Sequence, residues 1–341
     1  MFKRSCLIAT LGAFISGIIG IIMALLGTGV WALVLQNLTS VIITTIILFG
    51  AIEWRPRFQC SIESIKEMWG YGSRVFLATT VDTLKDNVRT LVVGKVFSTS
   101  DLAYYNQGKR FPQLLVNDVV NSVGKVLLPV FSEQQHDLNK NKDFMRLSIR
   151  VSSFIILPLI FGMIGIADNF ILLFLTKKWM PCVPYLRILS LVYVTRSINT
   201  ILKNGLLAIG KRGINLFHEI VTSVLTIILI IIAAFYFRSV SLIAWSYVII
   251  SLVGTIIFSY FTIKNFPYTL KEITVDYLPS FLLSLVMCGF VYFFGKLPLI
   301  TPVLLLLQIL VGVIVYVVGA KIFNMQELTY VINYIKEKIH R

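Results

Sequence analysis

Asp82, Lys85, Asp86 and Arg89 recur at spacings of three and four residues inside a long apolar run. One helical face therefore carries all four side chains. Each charge at the bilayer centre costs ~2.5–3.5 kcal/mol on insertion scales, and residues so placed face a bundle interior or a water-filled cavity. Two chemistries fit. Arg89 and Lys85 can hold a phosphate or pyrophosphate, the arginine with a bidentate fork. Asp82 and Asp86 can carry a proton or Na⁺ that couples transport. The plainer reading is that Asp82–Lys85 and Asp86–Arg89 neutralise each other as pairs that specify the fold. Both readings stay open here.

Three further segments carry polar stripes at helical period. Gln113, Asn117 and Asn121 align, flanked by Asp118 and Lys125. Arg196, Asn199, Thr200 and Lys203 share a face, with Arg187 on roughly the opposite side. Asn215, Glu219, Thr222 and Thr226 align, with His218 beside them. Asn and Gln both donate and accept, which suits sugar hydroxyls. The expected solute-facing set is Arg89, Lys85, Asn117, Asn121, Arg196 and Asn199, and the expected ion-coupling set is Asp82, Asp86 and Glu219. Against these stand interhelical hydrogen bonds for Asn117 and Asn121. His218, with no second His or Cys to join it, reads as a satisfied interior residue. Arg187 and Lys203 read as snorkelling towards the two interfaces.

The elements that must hold these stripes are membrane helices. The 341 residues are 57% hydrophobic and 14% charged, with a mean hydropathy of +0.85; a soluble domain has about 25% charged residues. An all-α polytopic membrane protein is expected. A span needs about 20 mostly apolar residues, and that ruler gives about ten: near 5–26, 29–51, 71–97, 110–131, 147–167, 184–207, 213–236, 239–263, 277–295 and 300–320. Lys3 and Arg4 precede an apolar run too long for a signal core, so the run reads as a first span. Strands of a membrane barrel would alternate with period two, which these segments do not.

The net charge of +15 is mostly topology rather than a nucleic-acid footprint. If the N-terminus is cytoplasmic, that side receives Lys3, Arg4, Arg55, Arg57, Lys66, Lys140, Lys142, Arg146, Lys203, Lys211, Arg212, Lys264, Lys271, Lys321, Lys336, Lys338 and Arg341. The opposite loops hold only Lys95, Lys109, Arg110, Lys177, Lys178, Arg238 and Lys296. This asymmetry puts both termini in the cytoplasm. Cys6, Cys60, Cys182 and Cys288 lie in or near apolar segments without paired spacing, so neither a disulfide framework nor a metal site is expected. No cofactor is implied.

The chain divides into a helix hairpin (1–52), an interfacial amphipathic link (53–70, with Trp54 and Trp69 as anchors), a six-helix lobe (71–265), two accessory helices (266–320) and an amphipathic cytoplasmic tail (321–341). No nucleotide-binding, nucleophile-elbow or zinc motif occurs. The longest loops, about 53–70 and 132–146, leave little room for an active site, and no enzyme is expected.

Several runs carry a family resemblance. Asp82-Thr83-Leu84-Lys85-Asp86-Asn87-Val88-Arg89, then Val93-Gly94-Lys95, then Asp101-Leu102-Ala103-Tyr104-Tyr105-Asn106-Gln107-Gly108 resemble the O-antigen and exopolysaccharide flippases. These belong to the multidrug/oligosaccharidyl-lipid/polysaccharide exporter superfamily. Leu175 to Pro184, Ala208 to Arg212 and Trp54-Arg55-Pro56 resemble it too. The resemblance implies two six-helix lobes, often with two further helices, around a central cavity in a bacterial inner membrane. It also implies a polyprenyl-pyrophosphate-linked oligosaccharide, destined for lipopolysaccharide or exopolysaccharide, moved outward by alternating access. On that map residues 71–265 resemble one complete lobe and residues 1–52 the last hairpin of the other, about four N-terminal spans short. The expectation is that a chain of this extent does not flip substrate alone, and is truncated or works with a partner supplying the missing helices or with glycan-assembly proteins. Competing classes are an exporter of another amphiphile, such as a cationic drug, and a membrane-embedded glycan polymerase or ligase. The first should show unpaired acids, and the second a large outer loop.

Overall fold

A computed structural model describes residues 2–51, 61–63, 69, 73, 80, 83, 87–133 and 137–330. The link at 53–70 falls almost wholly outside them, as do Asp82, Lys85 and Asp86 and the tail beyond 330. The described residues form helices and turns with no strand. By contact the chain separates into two compact units, Met1–Phe76 and Leu77–Arg341.

The first unit holds α1 (Phe2–Leu25) and α2 (Val30–Ala51). The turn between them uses Gly27 and Gly29 at φ of 76° and 58°, a region closed to most side chains. The Thr28 hydroxyl closes it on the Met23 carbonyl at 2.8 Å. Gly12, Ser16 and Gly20 recur every four residues along α1. A Cβ at Gly12 would run into the Thr44 hydroxyl, and one at Gly20 would lie 3.0 Å from Gln36. Small residues at this spacing let two membrane helices pack backbone to backbone.

The second unit begins with α3, the helical residues 87–96, and continues with α4 (Thr99–Glu133), α5 (Leu138–Leu175), α6 (Val183–Leu191), α7 (Arg196–Ala208), α8 (Arg212–Ile231), α9 (Val240–Asn265), α10 (Leu270–Phe294) and α11 (Thr301–Ile322). Six described helices are long and apolar enough to cross a membrane: Val30–Gly50, Leu138–Leu175, Gly213–Tyr236, Val240–Asn265, Leu270–Phe294 and Thr301–Ile322. The protein is an all-helical, multi-pass membrane protein.

Local chemistry sets the helix ends. Ser98 and Asp101 cap α4 reciprocally, with the Asp101 amide on the Ser98 hydroxyl and the Ser98 amide on the Asp101 carboxylate. Asp137 caps α5 by accepting from the Lys140 amide at 3.0 Å, and that bond holds its carboxyl below the ordinary range. Thr269 and Glu272 form a full capping box on α10.

The segment 184–207, expected as one span, is broken. Residues 192–195 form a turn between α6 and α7, which frees carbonyls inside the bundle. Ser251 donates to the Val192 carbonyl at 3.1 Å and Tyr277 to the Val194 carbonyl at 2.7 Å. The Thr195 and Ser251 hydroxyls meet at 2.7 Å. Irregular backbone at membrane depth persists where neighbours satisfy it or where it lines a cavity, and this turn does both.

Two charged residues take part in long-range ion pairs. Arg187 Nη2 lies 2.5 Å from Asp168 on α5, and its guanidinium sits over the Tyr292 ring. Asp276, near the start of α10, is almost fully buried. It accepts from Arg146 (2.8 and 3.0 Å), Arg150 (2.8 Å) and the Tyr268 hydroxyl (2.9 Å). Burial, with the Asp276 charge beside it, pushes the Tyr268 hydroxyl up.

Candidate functional site

The polar stripes on α7 and α8 meet. With α3 and α9 they enclose a cavity of about 340 Å³ whose wall includes Arg89, Arg196, Asn199, Thr200, Lys203, His218, Glu219, Thr222, Thr226, Tyr247, Ser251 and Gly254. The register of α7 explains its share. Ile198, Ile201, Leu202 and Leu206 pack into the core, so the intervening Arg196, Asn199, Thr200 and Lys203 must face the other way.

Arg89 is 4% exposed. Its guanidinium carbon stands 3.9 Å from the Tyr247 ring centre, and Nη2 reaches the Thr226 hydroxyl at 3.4 Å. Thr226 returns its own proton to the Thr222 carbonyl, and Thr222 to that of His218. The hydroxyls of α8 are thus spent on backbone, leaving their oxygens as acceptors towards the cavity.

His218 stacks on Phe258 with ring centres 4.3 Å apart. A Cβ on Gly254 would lie 2.7 Å from His218 Nε2, so that glycine makes room for the imidazole. His218 Nδ1 is 3.5 Å from the Glu219 carboxylate. Among the described lining residues, three cations, Arg89, Arg196 and Lys203, face one carboxylate, Glu219. The wall can receive an anionic group carrying hydroxyls.

Of the residues expected from the sequence, the cavity gathers Arg89, Arg196, Asn199 and Glu219. It also takes in Thr200, Lys203 and His218. Asn117, on α4, is half-buried and is not part of this wall. Asp82, Lys85 and Asp86 and the Asn121 side chain lie outside what the structure describes. Tyr247, Ser251 and Gly254 were missed. Their helical spacing on α9 is the signal, but aromatic and small residues at that spacing read equally well as core. Among the described residues no cluster suited to a metal occurs.

The runs Asp101–Gly108 and Leu175–Pro184, distant in sequence, pack on each other. Tyr104 meets Trp179 edge to face at 5.9 Å, and Tyr105 meets Tyr185, the residue just after the second run, at 6.3 Å.

Likenesses to known proteins bear on identity. The fold is similar to the lipid II flippase MurJ in an inward closed conformation, with a TM-score of 0.72 at 22% identity over 92% of this chain and 67% of that one. The chain is 23% identical to the succinoglycan biosynthesis transport protein ExoT of Rhizobium meliloti, over 56% of its own length and 38% of that protein's. It is 25% identical to the teichuronic acid biosynthesis protein TuaB of Bacillus subtilis, over 62% of its own length and 44% of that protein's. The chain spans about two-fifths of the length of these relatives. A family model described as polysaccharide biosynthesis protein matches residues 1–184, more than half of the chain, and the chain belongs to that polysaccharide biosynthesis protein family.

Proposed function

We propose that this chain is part of a transporter that moves a polyprenyl-pyrophosphate-linked oligosaccharide across the bacterial inner membrane, as a flippase rather than an enzyme. The observation that carries this is the cavity in which Arg89, Arg196 and Lys203 face Glu219. Cations at such depth are costly, and an anionic head group offsets that cost. Arg89 and Arg196 hold the pyrophosphate, Asn199 and Thr200 meet sugar hydroxyls, and Glu219 is the coupling carboxylate, together with Asp82 and Asp86. Relatives named for succinoglycan transport and teichuronic acid biosynthesis, and a lipid II flippase of similar fold, support the same substrate class. The excess of cations argues against a cationic drug. The loop charges support cytoplasmic termini.

The test is surface glycan export in a host whose own flippase is deleted, scored for Arg89→Ala and Arg196→Ala at equal membrane levels. Each should lower export about tenfold or more, since a charged hydrogen bond contributes ~1.5–3 kcal/mol. Wild-type export by both variants would reduce these residues to structural charges.

A further inference from the structure

A second, smaller cavity, of about 160 Å³, opens between the N-terminal turns of α5 and the helical residues 326–330 that follow α11. This is roughly ten times the ~10–15 Å³ that one water needs. Asp143, Arg146 and Arg150 form one wall, and Glu327 and Tyr330 the other. The two arginines differ. Arg146 is spent on Asp276 through both Nε and Nη2. Arg150 gives Asp276 only its Nε, so its two terminal nitrogens retain their donors.

Glu327 is 8% exposed and makes no hydrogen bond or ion pair among the described residues, although two guanidiniums share its cavity. The Glu327 side chain is drawn back from the surface into this cavity, where a cation would stabilise its carboxylate. A free cation there would meet Arg146 and Arg150, and a simple anion would meet Glu327 and Asp143. A zwitterion satisfies both walls.

We propose that this cavity binds the head group of an aminophospholipid, with its phosphate on the Arg150 fork and its ammonium on Glu327. The site lies where the charged ends of α5 and α10 meet, at the limit of the apolar spans. Its rim carries Leu147 and Tyr330, both exposed, a pairing suited to the membrane interface. A primary ammonium has three donors to give. A trimethylated one has none, so ethanolamine is selected over choline.

Native mass spectrometry of the full chain in mixed micelles tests this with dioleoyl phosphatidylethanolamine, phosphatidylcholine and phosphatidylglycerol. Wild type should retain the ethanolamine lipid about tenfold over the choline lipid, the worth of one charged hydrogen bond. Glu327→Gln should bring the two close to parity. Stepwise N-methylation of the lipid amine on wild-type protein gives the same test without a variant, and retention should fall as donors are lost. Equal retention of ethanolamine and choline lipids by wild type would overturn the proposal. An unchanged preference in a folded Glu327→Gln, or phosphatidylglycerol held as well as the ethanolamine lipid, would do the same. Displacement of the lipid by an equal concentration of glycerophosphoethanolamine would overturn the lipid as the source.

Discussion

The Arg89 guanidinium lies 3.9 Å from the centre of the Tyr247 ring, while Lys109 approaches the same ring at 5.8 Å. An aromatic face attracts a cation through its ring quadrupole. The ring face thus fixes the Arg89 guanidinium at the cavity wall.

Tyr247→Phe should keep this arrangement, because the ring face survives. Tyr247→Leu should lower stability by ~1–2 kcal/mol, the range for a largely desolvated cation–ring contact, and should weaken binding of undecaprenyl pyrophosphate. Thermal unfolding in detergent and ligand titration check both. Equal behaviour of the Phe and Leu variants would show that the ring acts only by filling space.

Gly108 ends the run Asp101–Gly108, and its place in the fold is a close helix crossing. A Cβ there would lie 2.8 Å from both the Leu186 backbone nitrogen and Tyr185 Cβ. Gly108→Ala should cost about 1–3 kcal/mol through overpacking. Gly289→Ala, on α10 with open space around it, should be neutral or stabilise by up to ~1 kcal/mol from helix propensity. Melting temperatures of the two purified variants should move in opposite directions, or only the first should move.

The cavity was legible where its chemistry is periodic along one helix. Arg196, Asn199, Thr200 and Lys203 declare a face by spacing alone, and so do Glu219, Thr222 and Thr226. The turn at 192–195 was not legible, because Leu191-Val192-Tyr193-Val194-Thr195 contains no Gly or Pro. The groups that satisfy it, Ser251 and Tyr277, are more than fifty residues away. The pairing of Arg187 with Asp168 and the cluster on Asp276 are long-range for the same reason. Local pattern sets which face a residue occupies, and tertiary packing decides what that face meets.

Asp276 joins α5 to the start of α10. Asp276→Asn keeps the shape but leaves Arg146 and Arg150 without their shared carboxylate. Breaking a fully buried pair costs ~3–5 kcal/mol. Both guanidiniums here keep about a quarter to a third of their side-chain exposure, so ~2–3 kcal/mol is expected after solvent screening. Thermal unfolding measures the loss, and double substitution with Arg150→Gln should recover part of it by removing one stranded charge.

Glu219 faces the same cavity as Arg89, Arg196 and Lys203, with His218 Nδ1 3.5 Å from its carboxylate. A carboxylate there repels an incoming pyrophosphate and attracts the cations the ligand must also engage. Glu219→Gln removes that competition while keeping the shape. Binding of undecaprenyl pyrophosphate should therefore tighten by about tenfold, as expected for ~1–2 kcal/mol of lost repulsion at a partly hydrated site. Export should fall all the same, because tighter holding slows release and the group proposed to carry the coupling ion is gone. Titration calorimetry in detergent gives the first quantity and surface glycan export the second. If binding weakens instead, Glu219 supports the ligand rather than opposing it, and its proposed coupling role fails.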